Sequence, residues 1–144
     1  MSIVRDVEPA ELNARVAREL ESMIQQPEWS LFVKTGTGKE RPPEQKNWYY
    51  VRGAGMLRRL YVDGPVGVQR LRTHYGSAKN LGHQPTHFRR GSGKVLRVLL
   101  QDLERAGLVE KAAKPLKGRQ LSKAGKKFLD TVARSIGTGE SHGQ

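Results

Sequence analysis

The segment from Ser92 to Gly107 has the most regular apolar spacing in the chain and constrains the fold more than any other feature. Its apolar residues recur at intervals of three and four, which is the repeat of one helix face. These residues are Val95, Leu96, Leu99, Leu100 and Leu103. Ser92 is a favoured N-cap residue, and Gly107 is the residue type favoured just beyond a last turn. The sequence therefore predicts an amphipathic helix with defined ends.

The residues after Gly107 predict a hairpin and a further helix. Two short apolar pieces, Leu108–Val109 and Leu116–Leu121, are joined by a Lys-rich connection that contains glycine. Ser122 precedes a second helical pattern and is expected to cap it. The inward residues of that pattern are Phe128, Leu129, Val132, Ala133 and Ile136. Helix, strand, charged turn, strand and capped helix is the order of the wing in a winged helix-turn-helix.

The upstream half supplies the remaining elements. They are a helix over 8–26, an apolar half-turn over 29–33 packed on the core, a loop over 34–46, helices over 48–62 and 66–74, and a basic loop over 75–93. The predicted fold class is mainly α: a winged helix-turn-helix-like domain with an added N-terminal helix and a short two-stranded β-hairpin wing. Residues 1–137 are expected to form this single domain, and residues 138–144 a disordered polar tail.

Charge is the main constraint on function. The formal net charge is +12 and the sequence pI is about 10.4. Between Trp48 and Arg97 ten Lys and Arg residues accompany a single acid, Asp63. The ten are Arg52, Arg58, Arg59, Arg70, Arg72, Lys79, Arg89, Arg90, Lys94 and Arg97. So much self-repulsion requires an anionic partner, and nucleic acid is the usual one.

Two arginines on the predicted 48–62 helix are expected to flank a gap that a backbone phosphate can approach. At 100° per residue, Arg52 and Arg59 differ by about 20°, and Gly55 lies between them. Arg58 projects about 100° away from Arg59. Three aromatic residues of the basic stretch are candidates for stacking on bases or ribose: Tyr49, Tyr75 and Phe88.

No catalytic residue, metal site or cofactor is predicted. Gly36–Glu40 and Gly91–Val95 have the glycines of a phosphate loop, but neither has Ser or Thr after its lysine, and no strand precedes either. His83 and His87 have the spacing of ligands on one helix face, yet Pro85 between them argues against a helix, and no Cys or carboxylate lies nearby. An enzyme is therefore not expected.

The chain contains no cysteine and no apolar run as long as a signal peptide or a membrane span. A cysteine-free chain fits a reducing compartment. A cytoplasmic location without a membrane partner is therefore expected.

Several motifs resemble those of the ribosomal protein S19e family, also called eS19. A central block is similar to that family in content and order: Trp48-Tyr49-Tyr50, Arg52, Arg58, Tyr61, Gly67-Val68, Tyr75-Gly76, Gly82, Pro85–Phe88 and Gly91-Ser92. The helix that follows resembles the family signature at Ser92, Val95, Arg97, Leu99–Gln101 and Leu103-Glu104. The similarity extends from the first helix through the segment GRQLSKAGKKFLD, nearly the whole chain.

This resemblance implies a small-subunit protein bound to ribosomal RNA in the head, with a winged-helix-like fold and a role in subunit maturation. Short length and a polar tail are more typical of archaeal than of eukaryotic members. Two places depart from the family pattern. Gly53-Ala54-Gly55 replaces a turn of Ala and Ser, which lowers helix propensity by roughly 1 kcal/mol per glycine, and residues 77–81 carry fewer arginines than eukaryotic members do.

The leading hypothesis is a structural rRNA-binding protein, associated with the ribosome in the cytoplasm. Its expected partners are small-subunit rRNA and neighbouring ribosomal proteins, and it is expected to be a monomer before assembly. The candidate RNA-binding residues are Arg52, Arg58, Arg59, Arg72, Lys79, His87, Arg89, Arg90, Lys94 and Arg97. His74 is a further candidate for hydrogen bonds to phosphate or 2′-hydroxyl groups.

Two alternatives remain at this stage. The first is a winged-helix DNA-binding transcriptional regulator, which would read the major groove with the 92–107 helix through Lys94, Arg97, Gln101 and Glu104. The second is a protein-binding adaptor that uses the exposed face of the 8–26 helix.

Overall fold

The structure, a computed structural model, describes residues 3–113 and 118–139. The helices are α1 (Ile3–Asp6), α2 (Pro9–Leu20), a 3₁₀ helix (Glu28–Leu31), α3 (Trp48–Asp63), α4 (Val68–His74), α5 (Gly93–Arg105) and α6 (Lys123–Gly139). The strands are β1 (Ser77–Leu81), β2 (Gln84–Arg89), β3 (Val109–Lys111) and β4 (Arg119–Leu121). Each strand pair is an antiparallel hairpin. None of these helices is long and apolar enough to cross a membrane.

The winged-helix-like part contains α3, α4, α5, the β3–β4 wing and α6, so the predicted fold class is confirmed. Ser92 caps α5, since its Oγ accepts a hydrogen bond from the Val95 amide at 3.3 Å. Gly107 follows the helix with a φ of 85°. Ser122 caps α6 in the same manner, because its Oγ accepts from the Gly125 amide at 3.1 Å.

The core is formed where the apolar faces of α2, α3, α5 and α6 meet. Its fully buried large side chains include Leu12, Leu20, Leu57, Leu60, Leu96, Leu99, Leu100, Leu103 and Leu129. Strand β4 is joined to Val66, two residues before α4, by reciprocal backbone hydrogen bonds between Val66 and Arg119, each 3.0 Å long. The wing therefore closes against the end of α3 and fixes where α4 begins.

The N-terminal region differs from the prediction in two respects. The helix expected over 8–26 ends at Leu20, and turns carry the chain on to Ile24. Of the apolar half-turn expected to pack on the core, only Trp29 and Val33 are partly buried against it. Leu31 is 56% exposed and Phe32 is 75% exposed. Successive side chains of a 3₁₀ helix point about 120° apart, so adjacent apolar residues cannot all face the core.

A β-hairpin occupies most of the region predicted as a basic loop, and that prediction is wrong. β1 and β2 pair from Ser77 with Arg89 to Leu81 with Gln84. Gly82 opens the two-residue turn with a φ of 78°, and its amide donates to Asn80 Oδ1 at 2.9 Å. Every residue of β2 is exposed, so the strand has no alternation of buried apolar residues by which the sequence could reveal it.

Two predictions, the disordered C-terminal tail and the Lys-rich wing tip, fall partly outside the described residues. Helix α6 continues to Gly139, and the remainder of the tail expected to be disordered, residues 140–144, lies outside them. So do residues 114–117 of the predicted Lys-rich wing tip. The division into one domain and a tail stays a prediction.

Candidate nucleic-acid interface

A cleft of about 380 Å³ between α2, α3 and the end of α4 brings three predicted arginines together. We call it the arginine cleft; its polar and aromatic lining includes Asn13, Arg52, Arg58, Arg59, His74 and Tyr75. Arg52 and Arg59 lie about two turns apart on one side of α3, and Arg58, which lies about 100° round the helix from Arg59, also lines the cleft. The three cations and a histidine therefore share one partly enclosed space.

The gap expected above Gly55 is filled by Tyr75. A Cβ on Gly55 would lie 3.1 Å from the Tyr75 hydroxyl oxygen. The Arg52 guanidinium lies over the same tyrosine, with Cζ 4.2 Å from the ring centroid. The glycine thus admits an aromatic side chain rather than a phosphate, and the tyrosine supports Arg52 through a cation–π contact.

Arg52 is a half-buried cation with no carboxylate partner among residues 3–113 and 118–139. The ion pairs of the described residues involve Arg15, Arg59, Arg105 and Arg119, and Arg52 is in none of them. Burial lowers the pKa of Arg52 from its ordinary value, and the Tyr75 hydroxyl opposes that change. The cost of desolvating this charge is therefore not repaid by a described acidic side chain.

The two neighbouring arginines differ from each other. Arg59 Nε forms an ion pair with Asp63 Oδ2 at 2.6 Å, so the single acid of the basic stretch partly neutralises it. Arg58 Nε is buried without a hydrogen-bond partner among the described residues. His74 packs edge-on to Tyr75 at 4.7 Å between ring centroids. Partial desolvation, followed by the charge of Arg59, lowers the pKa of His74.

A second, shallower cleft extends the cationic surface. Arg59 and His74 line it together with Arg70 and Arg90. Arg90 Nη1 donates to Gln69 Oε1 at 2.9 Å, which orients its side chain along α4. The two clefts share Arg59 and His74, so the cations of α3, α4 and the end of the β1–β2 hairpin form one continuous surface.

Two further predicted residues have internal contacts. Arg72 Nε donates to the Gly91 carbonyl at 2.9 Å, and its Cδ packs against Gly93 at the start of α5. Lys94 is exposed, and its Nζ lies 4.9 Å from the centroid of the Trp29 ring. Arg72 therefore joins α4 to α5, in addition to any role it has toward a ligand.

The remaining predicted residues are on the β1–β2 hairpin and on α5. Lys79 is directly opposite His87 across the strands, and Ser77 is opposite Arg89. His87 and Arg89 are exposed, and Lys79 is half-buried. Arg97 is exposed on α5 and lines neither cleft.

Only one of the three stacking candidates has a ring available to a ligand. Tyr49 is fully buried, and its Oη donates to Asp102 Oδ2 at 2.5 Å, so this candidate is wrong. Tyr75 is half-buried with Arg52 over its ring. Phe88 is 54% exposed. Asn13, which lines the arginine cleft from α2, was not predicted, because a single asparagine on an amphipathic helix carries no sequence signal.

Fold and site together define a class: a small, strongly basic protein with a winged-helix-like domain and a cationic surface on one helix pair and its hairpin. The chain belongs to the ribosomal protein S19e family, whose model matches residues 3–139. The family prediction is confirmed.

Relatives from two domains of life are similar to the chain over most of their lengths. A protein of Aeropyrum pernix named small ribosomal subunit protein eS19 is 48% identical over 89% of this chain and 86% of its own length. One of Thermoplasma volcanium with the same name is 44% identical over 81% and 75%. The protein eS19G of Ascaris suum is 43% identical over 92% and 90%. The prediction of an archaeal-type member agrees with the archaeal relatives found.

Proposed function

We propose that this protein is a structural, non-enzymatic constituent of the small ribosomal subunit, that it binds ribosomal RNA in the head region, and that it assists subunit maturation. It is associated with the ribosome in the cytoplasm. Membership of the S19e family and the names of the relatives support the structural role. Binding to RNA, position in the head and maturation go further and rest on the resemblance together with the cationic surface.

The arginine cleft carries the RNA-binding part of the proposal. Arg52 is partly desolvated and has no acidic partner in the described part of the chain, and a phosphate is the group that best repays such a charge. Phosphate oxygens accept charge-assisted hydrogen bonds from the planar guanidinium. Arg58 and Arg59 share the cleft, so a phosphate there is attracted by all three cations.

The distribution of charge favours recognition of an RNA backbone. No acidic residue occurs between Asp63 and Asp102, and the cations of this stretch are spread over the second cleft, the β1–β2 hairpin, α4 and α5. A-form RNA hides its base edges in a deep, narrow groove, so proteins recognise it largely through phosphates and 2′-hydroxyl groups. Neutralising six phosphates would give a log–log salt slope on the order of −4 to −5.

The proposal is tested by sedimentation of extract from cells that make the protein. Fractions of a sucrose gradient are probed for it at moderate and high salt, with and without RNase. We expect co-migration with small subunits that RNase abolishes. Arg52→Ala should shift part of the protein to the top of the gradient at high salt. Arg18→Ala is the matched control, because Arg18 is exposed on α2 and lines a different groove, beside Phe128.

Two outcomes would contradict the proposal. If the wild-type protein stays at the top of the gradient even at moderate salt, it is not a ribosomal constituent. If it follows DNA instead, the regulator hypothesis gains support, and the exposed Lys94, Arg97 and Gln101 of α5 are then the side chains to change. An equal loss of co-migration in Arg18→Ala and Arg52→Ala would show that net charge, rather than the cleft, decides binding.

A further inference from the structure

Phe88 is an exposed aromatic residue on an otherwise polar ribbon. It is 54% exposed, although a phenylalanine in a small domain normally packs inside. Its cross-strand partner is Ala78. Side chains alternate between the two faces of a strand, so Asn80 and Thr86 share the face of Phe88, and all four residues are exposed. The ring is therefore a single apolar plane among small and polar neighbours.

Gly76 leaves the space that the edge of the Phe88 ring occupies. A Cβ on Gly76 would overlap Phe88 Cζ, and it would lie 2.5 Å from the Arg89 carbonyl oxygen and 2.9 Å from Phe88 Cε1. Gly76 and Phe88 are diagonal neighbours on one face of the hairpin, a separation that an aromatic side chain can span. The ring edge thus occupies the space that any other residue at position 76 would fill, while more than half of the side chain remains accessible.

The opposite face of the hairpin carries the charge. Lys79 and His87 form one cross-strand pair on that face, and Arg89 lies beside them. Because β2 is exposed at each of its six positions, both faces of the ribbon are accessible near Phe88. Proteins hold single-stranded nucleic acid with aromatic rings that stack on bases and with nearby cations that attract the backbone, and the hairpin carries both.

We propose that Phe88 stacks on an unpaired RNA base, so that the β1–β2 hairpin binds a single-stranded segment while the arginine cleft binds backbone phosphates. This inference rests on the proposed function, since it requires that the partner be RNA. It assigns the hairpin a different kind of ligand from the cleft: a base plane rather than a phosphate.

Two observations favour a base over an apolar side chain of a neighbouring protein. A protein interface normally buries several apolar residues together. The neighbours of Phe88 on its own face are instead the small Ala78 and the polar Asn80 and Thr86. The flanking sequence is cationic, with Arg89 and Arg90 directly after the ring and no acid within the hairpin. A planar ligand attached to phosphates fits both facts.

The test compares two RNA probes on the full-length protein by fluorescence anisotropy. One is an oligouridylate of about 12 nucleotides, and the other is an RNA duplex of about the same length, within the usual range of binding-site sizes. Phe88→Ala and Phe88→Leu remove the aromatic plane, and Phe88→Tyr retains it. Phe32→Ala is the matched control, since Phe32 is 75% exposed and lies outside the hairpin. Circular dichroism checks the folding of each variant.

We expect Phe88→Ala and Phe88→Leu to weaken binding of the single strand by about five- to a hundredfold, the range that alanine substitution removes for one stacked base. Duplex binding should change by less than about twofold, and the salt slope should not change, because no charge is removed. Phe88→Tyr and Phe32→Ala should bind both probes as the wild type does. Gly76→Ala should also weaken single-strand binding, but it is the less specific change, since its Cβ meets the Arg89 carbonyl oxygen as well as the ring.

The outcomes separate this inference from the proposed function. Wild-type protein that binds neither probe contradicts both. Wild-type binding that Phe88→Ala leaves unchanged contradicts only the stacking inference. Full binding by Phe88→Leu would mean that apolar contact suffices, and an equal loss for duplex and single strand would mean that the ring only supports the hairpin; either result overturns it.

Discussion

Replacing Tyr49 with phenylalanine tests the link that holds α3, the helix of the arginine cleft, against α5. Tyr49 is fully buried, and its hydroxyl donates to Asp102 Oδ2 at 2.5 Å. The Asp102 side chain is only 12% exposed, and its other carboxylate oxygen lies 3.3 Å from Arg105 Nη1. Phenylalanine keeps the ring and creates no large cavity, so the change removes the hydrogen bond and little else.

The expected loss follows from the chemistry of the acceptor. A hydrogen bond to a charged group contributes about 1.5–3 kcal/mol, and a poorly solvated carboxylate that loses a donor is not fully compensated by water. We therefore expect Tyr49→Phe to lower the free energy of unfolding by about 2 kcal/mol. Tyr61→Phe is the matched control: Tyr61 is half-buried and donates to Asp130 Oδ1 at 2.9 Å, and its loss should be about 1 kcal/mol or less.

Urea unfolding followed by circular dichroism at neutral pH measures both losses. The reasoning is refuted if Tyr49→Phe costs no more than Tyr61→Phe, because burial of the acceptor would then not strengthen the bond. A changed dependence on urea in either variant would mean that more than one hydrogen bond has been altered.

The same hydroxyl predicts how stability depends on alkaline pH. Burial, and then the hydrogen bond and charge of Asp102, raise the pKa of Tyr49 above its ordinary value near 10.0. The folded protein keeps this proton at pH values where the unfolded chain releases it. The free energy of unfolding therefore falls as the pH rises above about 10. The loss is about 1.4 kcal/mol by pH 11. The wild type should therefore lose that much of its advantage over Tyr49→Phe between about pH 9 and 11, and a constant difference would contradict the assignment.

Three further substitutions have defined outcomes. Ser92→Ala removes the N-cap of α5 and should lower the free energy of unfolding by about 1 kcal/mol in urea titrations. Gly125→Ala places a Cβ onto the Leu108 carbonyl oxygen and should cost about 1–3 kcal/mol in the same assay. Gly55→Ala crowds the Tyr75 hydroxyl; we expect weaker binding of duplex RNA by anisotropy, with stability changed by less than about 1 kcal/mol because helix propensity improves.

The helices and the wing were predictable because local signals and burial agree there. Ser92 and Ser122 precede strongly periodic apolar residues, and both serines cap their helices as expected. Gly107 takes the left-handed conformation that its position after α5 predicts. Consistent propensity, pattern and capping are what make a segment readable from sequence alone.

The β1–β2 hairpin could not be predicted in this way. Its second strand buries no residue, so it has no apolar alternation, and Pro85 within it argues against a central strand. Proline is tolerated because the described residues pair β2 on one edge only. The nearest sequence signal is Asn80 and Gly82, two residues apart at the turn, where the asparagine side chain accepts from the glycine amide.

The prediction that Tyr49 is free to stack on RNA was wrong for a different reason. Tyr49 is adjacent to Trp48 and Tyr50, and all three have similar character in sequence. Which of them points inward depends on where α5 lies, and that is set by tertiary packing rather than by local pattern. Tyr49 can be a core residue because its hydroxyl finds an acceptor there, Asp102 Oδ2 of α5. Periodicity alone does not reveal this partner, which is 53 residues away.

The glycines of α3 show why a weak helix suits this site. Each costs roughly 1 kcal/mol in helix propensity relative to alanine, yet each permits one close approach. A Cβ on Gly53 would lie 3.3 Å from Leu99 and 3.4 Å from Leu20, so this glycine lets α5 and α2 pack closely against α3. Gly55 lets the Tyr75 hydroxyl reach the helix, and Tyr75 in turn supports Arg52. The two glycines that lower helix propensity therefore lie where α2, α5 and Tyr75 pack against α3, directly behind Arg52. Such conflicts between local propensity and fold are expected at binding sites.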